Sequence, residues 1–597
     1  MPKSFFKRIQ TLINYSNTGG LIFLFFGILI KSLIEVIGVA SISPFLSVIL
    51  NPEIIQTNPY LNFIFSYFHF ESTTSFLNSL GILTIFLLLL TNFISSIVEW
   101  MIIRYSKFME YRLSTQLLKK YIYNDYLFFV ENNSSNLGKN IITEVQRSID
   151  GIIFPVFVAI SRLVTVAFLL ILLVLVEPIA ALSMSLLFGG GYLLIFLFIR
   201  KKLFTLGKLS SEAMMNRFKT INEAFLGIKD IKLRSIENRF ISRYEKSAKK
   251  LASYTIYQHV ASILPRYLLE SFAFCGIVLV MMFLVNGGKN SQSIIPIVAL
   301  YAVAGYKLIP ALQNIYSSIV TIKFNTAALI ILSDDLSEEM SSKQPSTNGV
   351  KIDFKYSLTL KSVGFSYPNS KKSAIKDINI NIKPNTTIGI VGLSGAGKTT
   401  LVDLILGLLE KNHGKLLIDN VEITEKNINS WRRNIGYMPQ DTFLIDDTIS
   451  ANIAFGLPSN EQDLKKVMQA AKIAELHDFI ISLPHKYETI VGEHGIKMSG
   501  GQRQRLGIAR VMYNNPKVIV LDEGTSAVDM MTETSLMKSI KEVSNNKTII
   551  LIAHRLSTVQ DCDNIYLLND GKIEDSGTYN ELLLSSERFK KMIGEKI

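Results

Sequence analysis

The sequence predicts two fused parts of different class, a six-helix α membrane domain followed by an α/β phosphate-loop domain, together a multidomain membrane protein. Three observations lead there. Six apolar stretches in the first 320 residues are each long enough to cross a bilayer, which takes ~20 residues. Residues 392–400 read GLSGAGKTT between a strand-like run at 387–391 and a helix-like run at 401–407. Residues 518–523, VIVLDE, form an apolar strand-like run ending in two carboxylates. Composition agrees. The chain has 597 residues, 48% of them hydrophobic, and a mean hydropathy of +0.30. That is more apolar than a soluble enzyme of this size usually is, and the length implies at least two domains.

The spans run at about 20–50, 76–103, 153–176, 178–199, 267–286 and 292–320. Basic residues alternate between the loops. Lys3, Lys7 and Arg8 precede span 1, and the loop 51–75 has no Lys or Arg. Residues 104–150 carry Arg104, Lys107, Arg112, Lys119, Lys120, Lys139 and Arg147. The turn at Glu177-Pro178 has no basic residue, Arg200, Lys201, Lys202 and Lys208 open the next connection, and only Lys289 separates spans 5 and 6. Cytoplasmic loops carry the excess of Lys and Arg, so both termini are expected in the cytoplasm. The net charge of +13 belongs to these flanks, and no nucleic-acid partner is expected. The two cysteines, Cys275 and Cys562, imply no disulfide framework, as expected on a reducing side. The N-terminus, MPKSFFKRIQ, lacks the short apolar core and cleavage site of a signal peptide.

The two long cytoplasmic connections are polar and helix-compatible. They predict membrane helices extended beyond the bilayer, each pair joined by a short element, near 128–135 and 224–230. Plain solvated loops are the alternative, although loops of this length are uncommon. Residues 337–349, SEEMSSKQPSTNG, read as a linker. The expected division is a membrane domain at 1–336 and a nucleotide-binding domain at 350–597. Between spans 1 and 2, residues 58–70 are rich in Tyr and Phe and too short to span. A helix lying on the outer membrane surface is one reading, and a plug or dimer contact the other.

The phosphate loop carries the chemistry. Gly392, Gly395 and Gly397 allow backbone N–H groups to turn onto phosphate oxygens, and the following helix points its positive end at the same anion. Lys398 is placed to reach the β- and γ-phosphates and the Thr399 hydroxyl to ligate Mg²⁺. Asp522 stands where a carboxylate holds the Mg²⁺ shell, and Glu523 where one polarises the attacking water. Two adjacent acids at the end of an apolar strand are costly unless a metal or partner compensates them. ATP and Mg²⁺ are the expected cofactors.

Residues 498–505, MSGGQRQR, complete the set, and here the sequence closely resembles the ABC transporter ATPase family in its exporter-type half-transporter form. The resemblance implies roles for matching residues. Ser394 and Thr400 join the phosphate-loop contacts to nucleotide. Tyr367, in VGFSYP, stacks on adenine. Gln440, in GYMPQ, senses Mg²⁺ and contacts the membrane domain. Ser499, Gly500, Gly501 and Gln502 close on ATP held by another ATPase domain. Asp529, in SAVD, belongs to the D-loop, and His554, in LIAHRLS, is the switch histidine near the γ-phosphate. VGEHG at 491–495 resembles the X-loop of exporters. Met498 stands in place of the usual leucine, a similar-volume exchange, and Gly524 in place of an alanine. One phosphate loop and one signature per chain imply a pair, most simply a two-fold homodimer with two hydrolysing sites.

Cargo has to be read from the membrane half. Ionisable residues inside spans are expensive and default to functional candidates. Lys31 and Glu35 lie i,i+4 in span 1, and Arg266 and Glu270 i,i+4 in span 5. Arg162 lies in span 3 and Lys307 in span 6, with no acid at helical spacing. At ~1.5 Å per residue from the outer end, Arg162 comes ~21 Å down, Arg266 ~30 Å and Lys307 ~22 Å. The expectation is a belt of basic groups facing one cavity, suited to an anionic head group. The alternative is that they snorkel to the interface or are neutralised by neighbouring acids.

Within the family, spans 1, 5 and 6 resemble the bacterial flippases for lipid-linked oligosaccharides used in protein N-glycosylation. The matching residues are Glu35 and Pro44 in span 1, Pro265 to Glu270 and Phe272 to Gly276 in span 5, and Tyr301 with Lys307 to Pro310 in span 6, where Lys307 replaces an arginine; residues 58–70 sit where that subgroup has an external helix. The expected function is therefore an ATP-driven exporter of the bacterial inner membrane, homodimeric, moving a membrane lipid with a diphosphate-linked glycan from the inner to the outer leaflet. A multidrug or lipid A-type exporter is the alternative. A peptide exporter is less expected because no protease domain precedes span 1. Soluble ABC ATPases lack the first 330 residues' spans.

Overall fold

A computed structural model gives the fold and describes residues 2–15, 18–176, 178–286, 291–337, 352–368, 370–522, 547–553 and 556–593. The expected linker, apart from Ser337, and Glu523, Asp529 and His554 lie outside the described residues. The chain divides into two compact units, one of Met1–Asn124 with Phe129–Met340, the other of Asp125–Phe128 with Ser341–Ile597.

The first unit is helical. In order it holds α1 (Pro2–Asn14), α2 (Thr18–Ala40), α3 (Ile42–Leu50), α4 (Ile54–Thr57), α5 (Pro59–Tyr67), α6 (Thr73–Ile122) and α7 (Tyr126–Glu131), the last shared with the other unit. A continuous rod follows, made of α8 (Ser134–Lys139), a π segment (Asn140–Glu144), α9 (Val145–Ser148), a second π segment (Ile149–Ile153) and α10 (Phe154–Val176). Then come α11 (Pro178–Leu226), α12 (Ile228–Leu233), α13 (Glu237–Asn286) and α14 (Ser291–Ser337). The helices α6, α11, α13 and α14 have 50, 49, 50 and 47 residues. At ~1.5 Å per residue they are ~70–75 Å long, more than twice a ~30 Å hydrocarbon core. Each therefore runs well beyond a bilayer, as the long polar connections predict. Among the described residues four stretches are long and apolar enough to cross: Gly19–Leu50, Thr73–Ile122, Ser134–Val176 and Ala302–Ser337. The spans expected at 178–199 and 267–286 fall within α11 and α13.

Local chemistry fixes several of these elements. Asn58 caps α5, its side chain accepting from the backbone N–H of Tyr60 at 3.0 Å and Leu61 at 3.4 Å, with Pro59 as the first helical residue. Leu61 and Phe76 pack in a small apolar cluster while Tyr60, Phe63 and Tyr67 stay exposed, so the part of 58–70 that is helical, Pro59–Tyr67, is amphipathic. Pro265 sits inside α13 and removes the hydrogen bond to Ala261. The Tyr316 hydroxyl of α14 donates to that freed carbonyl at 3.2 Å, and Gln313 donates to the next, Ser262, at 2.7 Å. Polar side chains from a neighbouring helix thus repair the break, as a helix in lipid requires. At Gly207 of α11 a Cβ would come 1.8 Å from the Phe324 carbonyl oxygen, so only glycine permits this close α11–α14 approach.

The second unit has two sheets. Strands β1 (Leu358–Phe365), β2 (Ile375–Ile382), β4 (His413–Ile418) and β5 (Val421–Glu422) form an antiparallel sheet in the order β2-β1-β4-β5. Strands β3 (Thr387–Val391), β6 (Ile435–Met438), β7 (Val518–Asp522), β8 (Thr548–Ile552), β9 (Asn564–Asn569) and β10 (Lys572–Gly577) form the other, ordered β10-β9-β3-β8-β7-β6. It is parallel except for β10. Every residue of β7 and β8 is buried, which is why both read as unbroken apolar runs rather than alternating ones. Helices α15 (Lys398–Ile405), α16 (Ile428–Arg432), α17 (Ile449–Ile453), α18 (Leu464–Ile473), α19 (His477–Ser482) and α20 (Gly500–Tyr513) pack around it.

The short elements expected at 128–135 and 224–230 are helices, displaced slightly to α7 and α12. Residues Asp125–Phe128 belong to the second unit, where Leu127 packs against the apolar core that contains Trp431 and Leu409. Around α12, Phe225 (73%), Leu226 (76%) and Leu233 (77%) are exposed.

Candidate functional site

The loop between β3 and α15 has the geometry of an anion cradle. Gly395 and Gly397 have φ of 79° and 102°, a region that other residues avoid. At Gly392 a Cβ would lie 2.3 Å from the Leu568 carbonyl oxygen. The loop thus curls tightly against its neighbours with its amides at the start of α15. Lys398 is buried and donates to the carbonyls of Gly392 at 2.7 Å and Leu393 at 3.1 Å. A side chain folded back over its own loop places its charge at the centre of the cradle. Ser394 and Thr399 are exposed, and Thr400 is buried with its hydroxyl 3.2 Å from that of Tyr367. Tyr367 is half-buried and meets Phe365 edge-on, which puts the expected adenine platform beside the phosphate loop.

Asp522 ends β7, one strand from β3 across β8, and is 9% exposed. Its field reaches two groups that sequence reading did not single out. Asp403, buried on α15, has its carboxyl pushed up to about 6, first by burial and then by Asp522. Burial, then Asp522 and Asp403, also hold the Tyr437 hydroxyl well above the usual phenol range. Asp403 comes five residues after Lys398, where an acid in an otherwise apolar helix was the available signal. Gln440 follows β6 and is exposed.

The signature forms the start of α20. Ser499 Oγ accepts from the Gln502 N–H at 3.2 Å and Gln502 Oε1 accepts from the Ser499 N–H at 2.9 Å, a reciprocal cap on a 14-residue helix. Gly500 and Gly501 follow with partly exposed backbone, so the positive helix end is open to an anion. Arg510 anchors this helix to the segment after Gln440. It donates to the carbonyls of Asn452 (2.8 Å) and Phe443 (2.7 Å) and to Asn452 Oδ1 (3.1 Å), lies 4.5 Å over the Phe455 ring, and burial lowers its pKa to about 10.

The family model of the ABC transporter matches residues 375–526, and that of the ABC transporter transmembrane region matches residues 18–314. The chain belongs to the ABC transporter family. It is a half-transporter, a transmembrane domain fused to an ATPase domain, and its cofactors are ATP and Mg²⁺. The cradle fits them: Gly392, Gly395, Gly397 and Lys398 would hold the phosphates, and Thr399, Gln440 and Asp522 the Mg²⁺. This ABC transporter is 39% identical over 246 residues to "Putative multidrug export ATP-binding/permease protein YgaD" of Bacillus subtilis (strain 168). A like-named protein of Staphylococcus aureus (strain NCTC 8325 / PS 47) is 40% identical over 230 residues. These stretches cover 41% and 38% of this chain, and only 42% and 39% of the relatives. The structure of a bacterial Atm1-family ABC exporter with ATP bound matches 97% of this chain and 99% of its own, at 21% identity and a TM-score of 0.77, which shows the exporter fold.

In the membrane half of the transporter, the structure gathers part of the expected belt. Lys31 is 1% exposed and donates to Ser161 Oγ at 3.2 Å. Glu35 accepts from Thr165 at 3.2 Å and lies 3.7 Å from Lys307. Arg162 pairs with Glu99 of α6, a partner no helical spacing could reveal. Arg266 pairs at 2.6 Å with Glu270 on its own helix and is exposed. Arg162, Arg266 and Lys307 thus each face a carboxylate, in line with the stability that pairing gives to charges at lipid depth.

Proposed function

We propose that two copies of this ABC transporter form a homodimer that uses ATP to export an amphipathic lipid-linked substrate, most concretely a lipid bearing a diphosphate-linked oligosaccharide, from the inner to the outer leaflet. The observation that carries the ATP-driven part is the glycine cradle around Lys398, fused in one chain to helices long and apolar enough to span a bilayer. ATP held in the cradle of one copy is closed over by the Ser499–Gln502 helix end of the other. Glu523 then orients and polarises water, His554 steadies the γ-phosphate, and hydrolysis reopens the pair. Pairing is supported by the apolar residues around α12: Phe225, Leu226 and Leu233 are exposed in one copy and chemically suited to a second. The alternation of Lys and Arg supports both termini on the cytoplasmic side of a bacterial inner membrane.

The cargo reading rests on Lys31, Arg162 and Lys307 near Glu35 and Glu99, a cluster with three cations and two carboxylates. One surplus positive charge favours an anionic head group. The relatives' names favour a second reading, multidrug export, and so does the pairing of each cation at Arg162 and Lys307. Reconstitution separates them. ATP hydrolysis in proteoliposomes should rise severalfold with a polyprenyl diphosphate-sugar lipid and stay at its basal rate with a hydrophobic cationic dye. The reverse pattern would establish the multidrug reading.

A further inference from the structure

The rod Ser134–Val176 is broken twice by π segments, at Asn140–Glu144 and Ile149–Ile153. Such segments carry one extra residue per turn, hold the backbone less tightly and cluster where helices do work. Across the first of them runs a buried charge network outside the nucleotide site. Glu144 is 0% exposed, and its carboxylate faces Lys139 Nζ at 3.2 Å and Arg147 Nη1 at 3.4 Å. Arg147 also donates to Ser211 of α11 at 2.7 Å and to Asn325 of α14 at 3.2 Å. One guanidinium thus ties three long helices together.

The network is not saturated. Arg147 Nη2 and, beside the network, Ser106 Oγ and Ser148 Oγ are buried without a hydrogen bond. Ser106 is at the same level, since the next residue, Lys107, pairs with Asp150 at 2.8 Å. Buried polar groups are almost always satisfied, so the free Nη2 of Arg147 leaves this clamp with donor capacity for a further partner. The packing leaves a pivot as well. At Gly151 a Cβ would meet the Asn325 side chain at 2.4 Å, so the rod and α14 touch there without a side chain from the rod between them.

We propose that this network is the hinge of the membrane half: the bridge from Lys139 through Glu144 to Arg147 opens as the rod flexes at its π segments, with Gly151 against Asn325 as pivot. Coupling the hinge to nucleotide state rests on the ATP-driven reading above. Hydrogen exchange tests both parts on the full-length protein in proteoliposomes. Between the nucleotide-free and the ATP–vanadate-trapped states, amides 140–153 should change exchange rate at least tenfold, while residues 80–95 of α6 stay within twofold. Identical rates at 140–153 in protein that hydrolyses ATP would overturn the hinge. A second arm needs no ATP and so fails separately from the functional reading. In nucleotide-free protein, Glu144→Gln should speed exchange at 140–153 at least tenfold with exchange elsewhere unchanged. No change, or loosening of the whole helical unit, would make Glu144 a structural ion pair only. As a coupling readout, the same variant should keep basal ATP turnover within twofold and lose substrate movement tenfold.

Discussion

Two buried lysines show how differently this chain handles charge. Lys398 ends a glycine loop, its ammonium held by two carbonyls of that loop and its surroundings built from backbone amides and a helix start. Lys31 sits in the middle of α2, beside Ser161, with Glu35, Glu99, Arg162 and Lys307 as the charges around it. The first site waits for an anion from outside the chain. The second already carries its own anions, and a foreign one has to compete with Glu35 and Glu99. Local sequence creates the first; helix packing creates the second.

The largest effect expected on the nucleotide side is at Glu523. Glu523→Gln keeps the shape but cannot polarise water, so turnover should fall ~10²–10⁴-fold while ATP binding survives. Steady-state hydrolysis near the wild-type rate would remove Glu523 from that role. Next comes Lys398→Ala, which deletes a charge-assisted contact worth ~1.5–3 kcal/mol and should weaken ATP binding by about ten- to a hundredfold. Unchanged affinity by equilibrium titration would show that Lys398 is only a strut within its loop.

The motif half was legible because its chemistry is contiguous. Gly392 to Thr400, Ser499 to Gln502 and Asp522 each announce themselves over a few residues, and the strand and helix that place them adjoin them in sequence. Asp403 and Arg510 were missed because their roles arise from burial, beside Asp522 for one and against Phe455 and Asn452 for the other. Among the described residues, four long helical stretches were legible from apolar length, but the partner of Arg162 was not. Glu99 is 63 residues away and meets it only when α6 packs beside α10. The π segments were not legible, since each is only five residues long and too short to set a period of its own.

On the membrane side, the competition predicts opposite effects of two neutral changes. Arg162→Ala should reduce movement of an anionic lipid by about tenfold, the value of one charge-assisted contact. Glu99→Gln frees Arg162 and should raise that movement about two- to fivefold, at the lower end of what one contact is worth. If both changes depress transport of every lipid alike, the pair is structural and the contrast between the two lysines lies only in packing. The smallest effect concerns Asp403. Its folded-state pKa, about 6, is raised above the ordinary carboxyl value of 3.8. The folded protein therefore binds that proton more tightly than the unfolded chain, and stability falls as pH rises from about 4 to 6. Asp403→Asn should stabilise the Mg²⁺-free protein on the order of 1–3 kcal/mol at pH 8 and change nothing below pH 4. Equal melting shifts at both pH values would contradict the burial of an ionised group.

The most direct test is lipid movement in proteoliposomes, with a diphosphate-sugar lipid and a neutral lipid side by side, for the wild type, Glu523→Gln and Arg162→Ala. The account predicts that the wild type moves the diphosphate lipid only with ATP, that Glu523→Gln moves neither, and that Arg162→Ala loses the diphosphate lipid selectively. Movement of both lipids at equal rates in the wild type, unaffected by Arg162→Ala, would contradict an anionic head group at the membrane cluster, and movement without ATP would contradict the ATP-driven exporter itself.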